Sequence, residues 1–361
     1  MICQRRNIME QDKQNLLEMI DRPAFVVCDG IITETNQTAR NRQIHIGKPV
    51  WDYLANHAED YQNFRSGILH LTLEIGYVRC GAMVMRQEMG DVFLMDRDSD
   101  QVHLQTLALA AQQLRAPLSN IMNVSDILFP ELTDPAQQEQ AAQLRRSYFQ
   151  MMRLICNMAD ADRYYAMDTV GFEKTELSSF FREIVDQARC AEKDIGICLA
   201  YHCPQKHIFS LIDRDQIKRA VFNLISNAVK FSPAGSTVTV TLSCTARMAN
   251  LTVEDHGEGI PNHVYSSLFQ RYLREPAIED TRFGLGLGMT LVRSAAAAHN
   301  GTVLLEQNNG TRITMSMLIR KEHAPILRSP KLTISDYTGG YDANLLEFAE
   351  SLPPDAYKTD I

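Results

Sequence analysis

The chain has 361 residues, 45% of them hydrophobic and 22% charged, which fits a globular protein with more than one core and excludes a disordered or fibrous chain. A net charge of −8 argues against a nucleic-acid surface, because such a surface needs a basic footprint. No apolar run reaches membrane-spanning length and residues 1–20 lack the apolar core of a signal peptide, so a cytoplasmic protein is expected. The eight cysteines, at 3, 28, 80, 156, 190, 198, 203 and 244, form no CxxC pair and read as reduced thiols. Cys198 and Cys203 flank His202 on a strand, which is a poor frame for zinc.

Residues 1–98 read as a small α+β unit. A strand Ala24–Cys28 turns at Asp29-Gly30 into a second strand, Ile31–Glu34, and strand-like segments follow near Ile68–Leu73, Tyr77–Met85 and Asp91–Met95. A charged junction, Asp96 to Asp100, precedes a long helix that Ser99 or Asp100 is placed to cap. Along that helix Leu104, Leu107, Ala111, Leu114, Leu118 and Ile121 make a heptad seam, with Pro117 expected to kink it. After a break from Pro130 to Pro135, Ala141, Leu144, Tyr148, Met151, Ile155 and Met158 repeat the spacing. Two such helices make a hairpin over 99–168. A lone hairpin cannot bury both seams, so pairing with a second copy into a four-helix bundle is expected.

From about residue 175 the pattern becomes α/β. Helices at 178–190 and 214–231 alternate with strands at 195–203, 236–243, 249–254, 301–307 and 311–319, the last two joined by Asn308-Asn309-Gly310. Residues 322–361 read as a tail with one short helix, Asn344–Ser351, and no assigned chemistry.

On the 214–231 helix, Asn223, Asn227 and Lys230 fall at i, i+4 and i+7 and form one polar stripe. Ile217, Val221, Leu224 and Ala228 occupy another face, as packing on a sheet requires. Amide oxygens suit a hard cation such as Mg²⁺, and a lysine beside them suits phosphate. Beyond the 249–254 strand comes Asp255-His256-Gly257-Glu258-Gly259-Ile260-Pro261, a carboxylate followed by two glycines that allow close backbone approach to a flat ring. Further on, Gly284-Leu285-Gly286-Leu287-Gly288 opens a helix Met289–His299 and leaves backbone N–H groups for phosphate. It is neither a Walker A loop nor a dinucleotide fingerprint.

The order of these pieces, with Leu268-Phe269-Gln270-Arg271-Tyr272 between the last two, resembles the N, G1, F and G2 boxes of the GHKL ATPases, and within them the sensor histidine kinases. The resemblance implies an α+β multidomain chain: a PAS-like sensor over 1–98, a dimerisation hairpin over 99–168, a Bergerat-type GHKL α/β sandwich over 172–321 and a tail over 322–361. It implies that Asn227 coordinates Mg²⁺ with Asn223 nearby, that Lys230 and Arg274 face phosphates, and that Phe231 packs near the adenine. Asp255 would accept from the adenine amine, Gly257 and Gly259 would admit the ring, and Gly284, Gly286 and Gly288 would hinge a lid, with Ile260 and Leu287 also in the site. ATP and Mg²⁺ are the cofactors implied.

The hairpin departs from the pattern. Where the family carries Ser-His-Glu-Leu-Arg-Thr-Pro-Leu, this chain has Ala111-Gln112-Gln113-Leu114-Arg115-Ala116-Pro117-Leu118. Gln112 stands at the phosphoacceptor position, and its delocalised amide nitrogen is not a nucleophile. Gln113 stands where a carboxylate would act as general base, and Ala116 where a polar side chain would position water. His103 lies nine residues upstream, about 13 Å along the axis. Two functions remain open: a regulatory pseudokinase that binds ATP·Mg and docks a response regulator or another histidine kinase, or an ATP-dependent histidine kinase with a non-standard acceptor or a partner as target. A chaperone or topoisomerase ATPase fits poorly, because those lack a heptad hairpin directly upstream.

Overall fold

The computed structural model describes residues 17–87, 90–161, 171–205, 207–259, 287–307, 309–320, 338 and 340–358. Its N-terminal part is an antiparallel sheet with two short helices. Strands β1 (Ala24–Cys28) and β2 (Ile31–Thr35) are followed by α1 (Gln37–Asn41) and α2 (Ala58–Asn63). Strands β3 (Ile68–Ile75), β4 (Val78–Gln87) and β5 (Gly90–Met95) complete it, in the order β2-β1-β5-β4-β3. Asn36 caps α1 and its buried amide also donates to the carbonyls of Ile20 and Arg22, anchoring the incoming chain. A separate core forms here around Phe25 and Phe93, whose rings stack at 4.6 Å.

The long helix α3 (Asp98–Leu128) runs on through Pro117, and a short 3₁₀ turn leads to α4 (Pro135–Ala161), its antiparallel partner. The expected seam splits in the structure. Ala111 and Leu118 are buried, but Leu114 and Ile121 are 51% and 58% exposed, as are Leu144 and Met151 on α4. The buried side of α3 is instead Ala108, Ala111, Leu118 and Met122, because α4 is the main helix packed on it among the described residues and covers only the face turned to it.

The α/β part begins with β6 (Glu173–Glu176) and α5 (Leu177–Arg189), then α6 (Glu192–Ile195), β7 (Cys198–His202), β8 (Phe209–Ile212) and α7 (Arg214–Phe231). Strands β9 (Thr237–Cys244) and β10 (Met248–Glu254), helix α8 (Leu287–Ala298) and the hairpin β11 (Val303–Gln307) and β12 (Thr311–Leu318) follow. The sheet order is β11-β12-β10-β9-β7, with only β7 and β9 parallel, and β6 pairs with β8 apart from it. Helix α7 starts where it does because Asp213 caps it, accepting from the Gln216 amide at 3.0 Å.

The two halves share one sheet of ten strands. Edge strand β3 pairs antiparallel with β11, His70 opposite Val303, Leu69 opposite Leu304 and Ile68 opposite Leu305. At this seam a Cβ on Gly67 would lie 2.1 Å from the Leu305 carbonyl, so only glycine admits the approach. Arg293 of α8 donates to both oxygens of Asp96 at 3.1 and 3.2 Å, and Arg22 sits 4.0 Å from the same carboxylate, all three buried. A buried carboxylate is tolerable only when so paired.

Residues 340–358 of the tail pack on the rest of the chain. Helix α9 (Ala343–Glu347), capped by Asp342, is shorter than the expected Asn344–Ser351, and a 3₁₀ turn follows at Pro354–Tyr357. Leu346, Phe348, Ala349, Leu352 and Tyr357 are buried in the same core as α4 and α7. Among the described residues, no helix is long and apolar enough to cross a membrane.

Candidate functional site

Helix α7 carries the site's central side chains. Ile217, Val221, Leu224 and Ala228 are buried as expected, which fixes the helix against the sheet. Asn223 does not sit on a solvated stripe: it is 1% exposed and its Nδ2 donates back to the Arg219 carbonyl at 2.9 Å. Asn227 and Lys230, one and two turns on, are half-buried, and Phe231 at the helix end is 38% exposed. Lys230 Nζ lies 5.5 Å from the centroid of the Phe231 ring.

Helix α8 brings Gly288 to α7. A Cβ on Gly288 would lie 2.8 Å from Asn223 Oδ1, so the first turn of α8 rests on that amide with no room for a side chain. Leu287 beside it is buried, and Gln216 Nε2 donates to Ser294 Oγ at 3.3 Å further along. The far end of α8 is tied to the cap of α7 by His299. Its Nδ1 contacts the Ala295 carbonyl at 2.7 Å and its Nε2 accepts from the Asp213 amide at 3.1 Å, while its ring stacks on Phe172 at 4.6 Å. Burial pushes its pKa down to about 4, which matches a neutral ring that donates on one side and accepts on the other. That arrangement takes His299 out of contention as a phosphoacceptor, since both ring nitrogens are engaged.

Asp255 continues the inward alternation of β10, after Ala249, Leu251 and Val253, so the strand's period of two carries a carboxylate into the interior. Its Oδ1 accepts from the Gly257 amide at 2.9 Å and the Thr311 amide at 3.1 Å, which fixes the orientation of the group. The glycines here have packing reasons. A Cβ on Gly257 would lie 2.3 Å from the Phe231 carbonyl, and one on Gly310 would lie 2.1 Å from the Asp255 carbonyl. Gly259 holds a left-handed φ of +73°, and a Cβ there would meet only the Gly310 carbonyl at 3.5 Å, an ordinary contact, so there the backbone conformation is what favours glycine. His256, exposed, meets the Thr237 carbonyl through Nδ1 at 3.2 Å.

The fold therefore gathers Asn223, Phe231, Asp255, Gly257, Leu287 and Gly288 at the junction of α7, α8 and the β10 end. Ile260, Arg274, Gly284, Gly286 and the 268–272 segment lie outside the described residues. Gln112 and Gln113 are exposed on α3, and the hairpin helix that meets α8 and the tail is α4. The side chain of His103 lies outside the described set. Sequence reasoning missed two contributors. Gly310 was visible only as a turn residue, and Glu350 of the tail, whose carboxylate accepts from Lys230 Nζ, carried no motif at all.

Residues 212–321 match the family of histidine kinase-, DNA gyrase B- and HSP90-like ATPases. The chain is 31% identical over 234 residues to histidine protein kinase DivJ of Caulobacter vibrioides, covering 62% of this chain and 37% of that protein. It is 25% identical over 220 residues to sensor histidine kinase YvrG of Bacillus subtilis, covering 60% and 38%. The chain is a sensor histidine kinase homologue. It spans well under half the length of those two relatives, whereas with the adaptive-response sensory kinase SasA of Crocosphaera subtropica it shares 25% identity over 327 residues, covering 85% and 83%. Among solved structures, full-length ShkA in complex with AMPPNP aligns to this homologue with a TM-score of 0.49 and 21% identity, over 61% of this chain and 47% of that one.

Proposed function

We propose that this histidine kinase homologue is a cytoplasmic regulatory pseudokinase of two-component signalling, which binds ATP·Mg and docks a response regulator or another histidine kinase without taking phosphate itself. The observation that carries this reading is a mismatch within one chain. Asn223, Asp255 and Gly288 keep their types and are held in place, while the acceptor position is an exposed glutamine. The buried Asp255 carboxylate, oriented through one oxygen, leaves the other to accept an exocyclic amine. The absence of a side chain at Gly288 lets the first turn of α8 lie against Asn223, and the free amides of a helix start suit phosphate. Asn227 and Lys230, both half-buried, are the residues for Mg²⁺ and phosphate in this reading, and Phe231 is the one for the ring. Arg274, Ile260, Gly284 and Gly286 complete the set by sequence. When bound, ATP·Mg supplies a ligand whose affinity differs between conformations and so biases one of them.

The remaining parts fit a signalling scaffold. The N-terminal five-stranded unit would be the PAS-like sensor, joined by its edge to the ATPase sheet. The apolar face left open on the hairpin, with Leu114, Ile121, Val124 and Ile127 on α3 and Leu144 and Met151 on α4, is the surface a second copy would cover in a four-helix bundle. The test is twofold. Melting of the purified chain should shift upward with ATP·Mg, and light scattering should report a dimer that Ile121→Asp splits. No shift at millimolar ATP·Mg, or a monomer at all concentrations, contradicts the reading.

A further inference from the structure

The C-terminal segment plays no part in the nucleotide reading, yet it lies where that reading places the phosphates. It is bonded to two helices at once. Toward α7, Phe348 meets Phe222 edge-on at 6.3 Å and Ser226 Oγ donates to the Glu347 carbonyl at 2.9 Å. Toward α4, Gln150 Nε2 donates to the Ala349 carbonyl at 3.1 Å, and the Arg153 guanidinium lies 3.5 Å from Glu347 and 3.7 Å from Glu350. At the outer edge of this clamp the second oxygen of Glu350 accepts from Lys230 Nζ.

We propose that residues 341–358 are a self-inhibitory strap, which clamps the ATPase domain onto α4 and sets Glu350 in competition with nucleotide phosphate for Lys230. The inference rests on Lys230 being the phosphate-facing lysine of the proposed ATP site. An ammonium is a single point charge, and one that is already neutralised by a carboxylate adds little attraction for a polyphosphate. Glu350 also brings a negative charge to the place where the phosphates must come, so bound strap and bound nucleotide oppose each other at this point. Coupling of this kind is reciprocal: whatever weakens nucleotide by holding the strap must be loosened by nucleotide to the same extent. The two ends of the segment divide the work. Phe348 and Leu352, buried between the helices, hold the strap down, while Glu350, only partly buried, is the contact a ligand can exchange. A clamped ATPase domain stays on α4. A tail that merely stabilises the fold predicts no gain in nucleotide affinity when Glu350 loses its charge.

The test measures ATP·Mg affinity by calorimetry on the full chain, its Glu350→Gln variant and its Glu350→Asp variant, with hydrogen exchange followed over 342–357. The expected result is binding about threefold or more tighter in Glu350→Gln, near the parent value in Glu350→Asp, and protection of 342–357 that falls when ATP·Mg saturates the chain. Equal or weaker binding by Glu350→Gln overturns the strap while leaving the nucleotide site standing, as does a 342–357 segment unprotected in the nucleotide-free chain. Binding by neither the parent nor Glu350→Gln overturns the nucleotide reading itself, and the strap with it.

Discussion

Helices α7 and α3 are both amphipathic, and both bury one apolar face, yet they have kept different things. On α7 the polar positions are held: Asn223 is locked to its own helix and roofed by Gly288, and the neighbouring Asp255 is fixed by two amides. On α3 the packing positions Ala111 and Leu118 are buried, while Gln112 and Gln113 point to solvent without a nucleophile or a carboxylate between them. Packing and chemistry are thus separable on a helix. A hairpin can keep its shape because shape depends on the buried face, and can change its catalytic turn without penalty because that turn is exposed.

The contrast sharpens most at Asp255. Asp255→Asn keeps an acceptor for the Gly257 and Thr311 amides but removes the charge, so ATP affinity should fall about a hundredfold with little change in melting. An unchanged affinity by calorimetry would break the nucleotide side of the comparison. Next in size is a pH effect at His299. In the unfolded chain this group takes a proton below about pH 6.5, but in the fold burial delays it to about 4. Between those values the unfolded state binds more protons, so stability should fall by about 3 kcal/mol as pH drops through that window. His299→Leu should flatten the slope in a melting series. Smaller still, Gly288→Ala puts a methyl against Asn223 Oδ1 and should cost about 1 kcal/mol of stability and several-fold in ATP affinity. The smallest effect is expected on the other helix. Gln112→Ala, at an exposed site, should leave ATP affinity and melting within about 0.5 kcal/mol of the parent.

Much of the ATPase half was legible because its signals are local. The spacing of Ile217, Val221, Leu224 and Ala228 marks α7, and Asn309-Gly310 marks the β11–β12 turn. The buried state of Asn223 was not legible, since the stripe shows periodicity but not what α8 lays upon it. The sheet seam between β3 and β11 escaped for a different reason: edge pairing is made by backbone, and Ile68 or Val303 would read the same at any edge. The heptad of α3 is one seam in sequence, but it does not say which of its positions α4 covers within one chain: Ala108, Ala111, Leu118 and Met122 are buried, and Leu114 and Ile121 stay exposed. The tail's Leu346, Phe348 and Leu352 show an apolar face, but nothing in their order names α4 and α7 as the surfaces that receive it.

The most direct measurement is incubation of the purified chain with γ-labelled ATP and Mg²⁺, with retained label followed through acid and alkali. A chain that melts higher with ATP·Mg yet retains no label is the predicted result. Acid-labile, alkali-stable label on the chain would contradict it and would show that a residue other than Gln112 accepts phosphate.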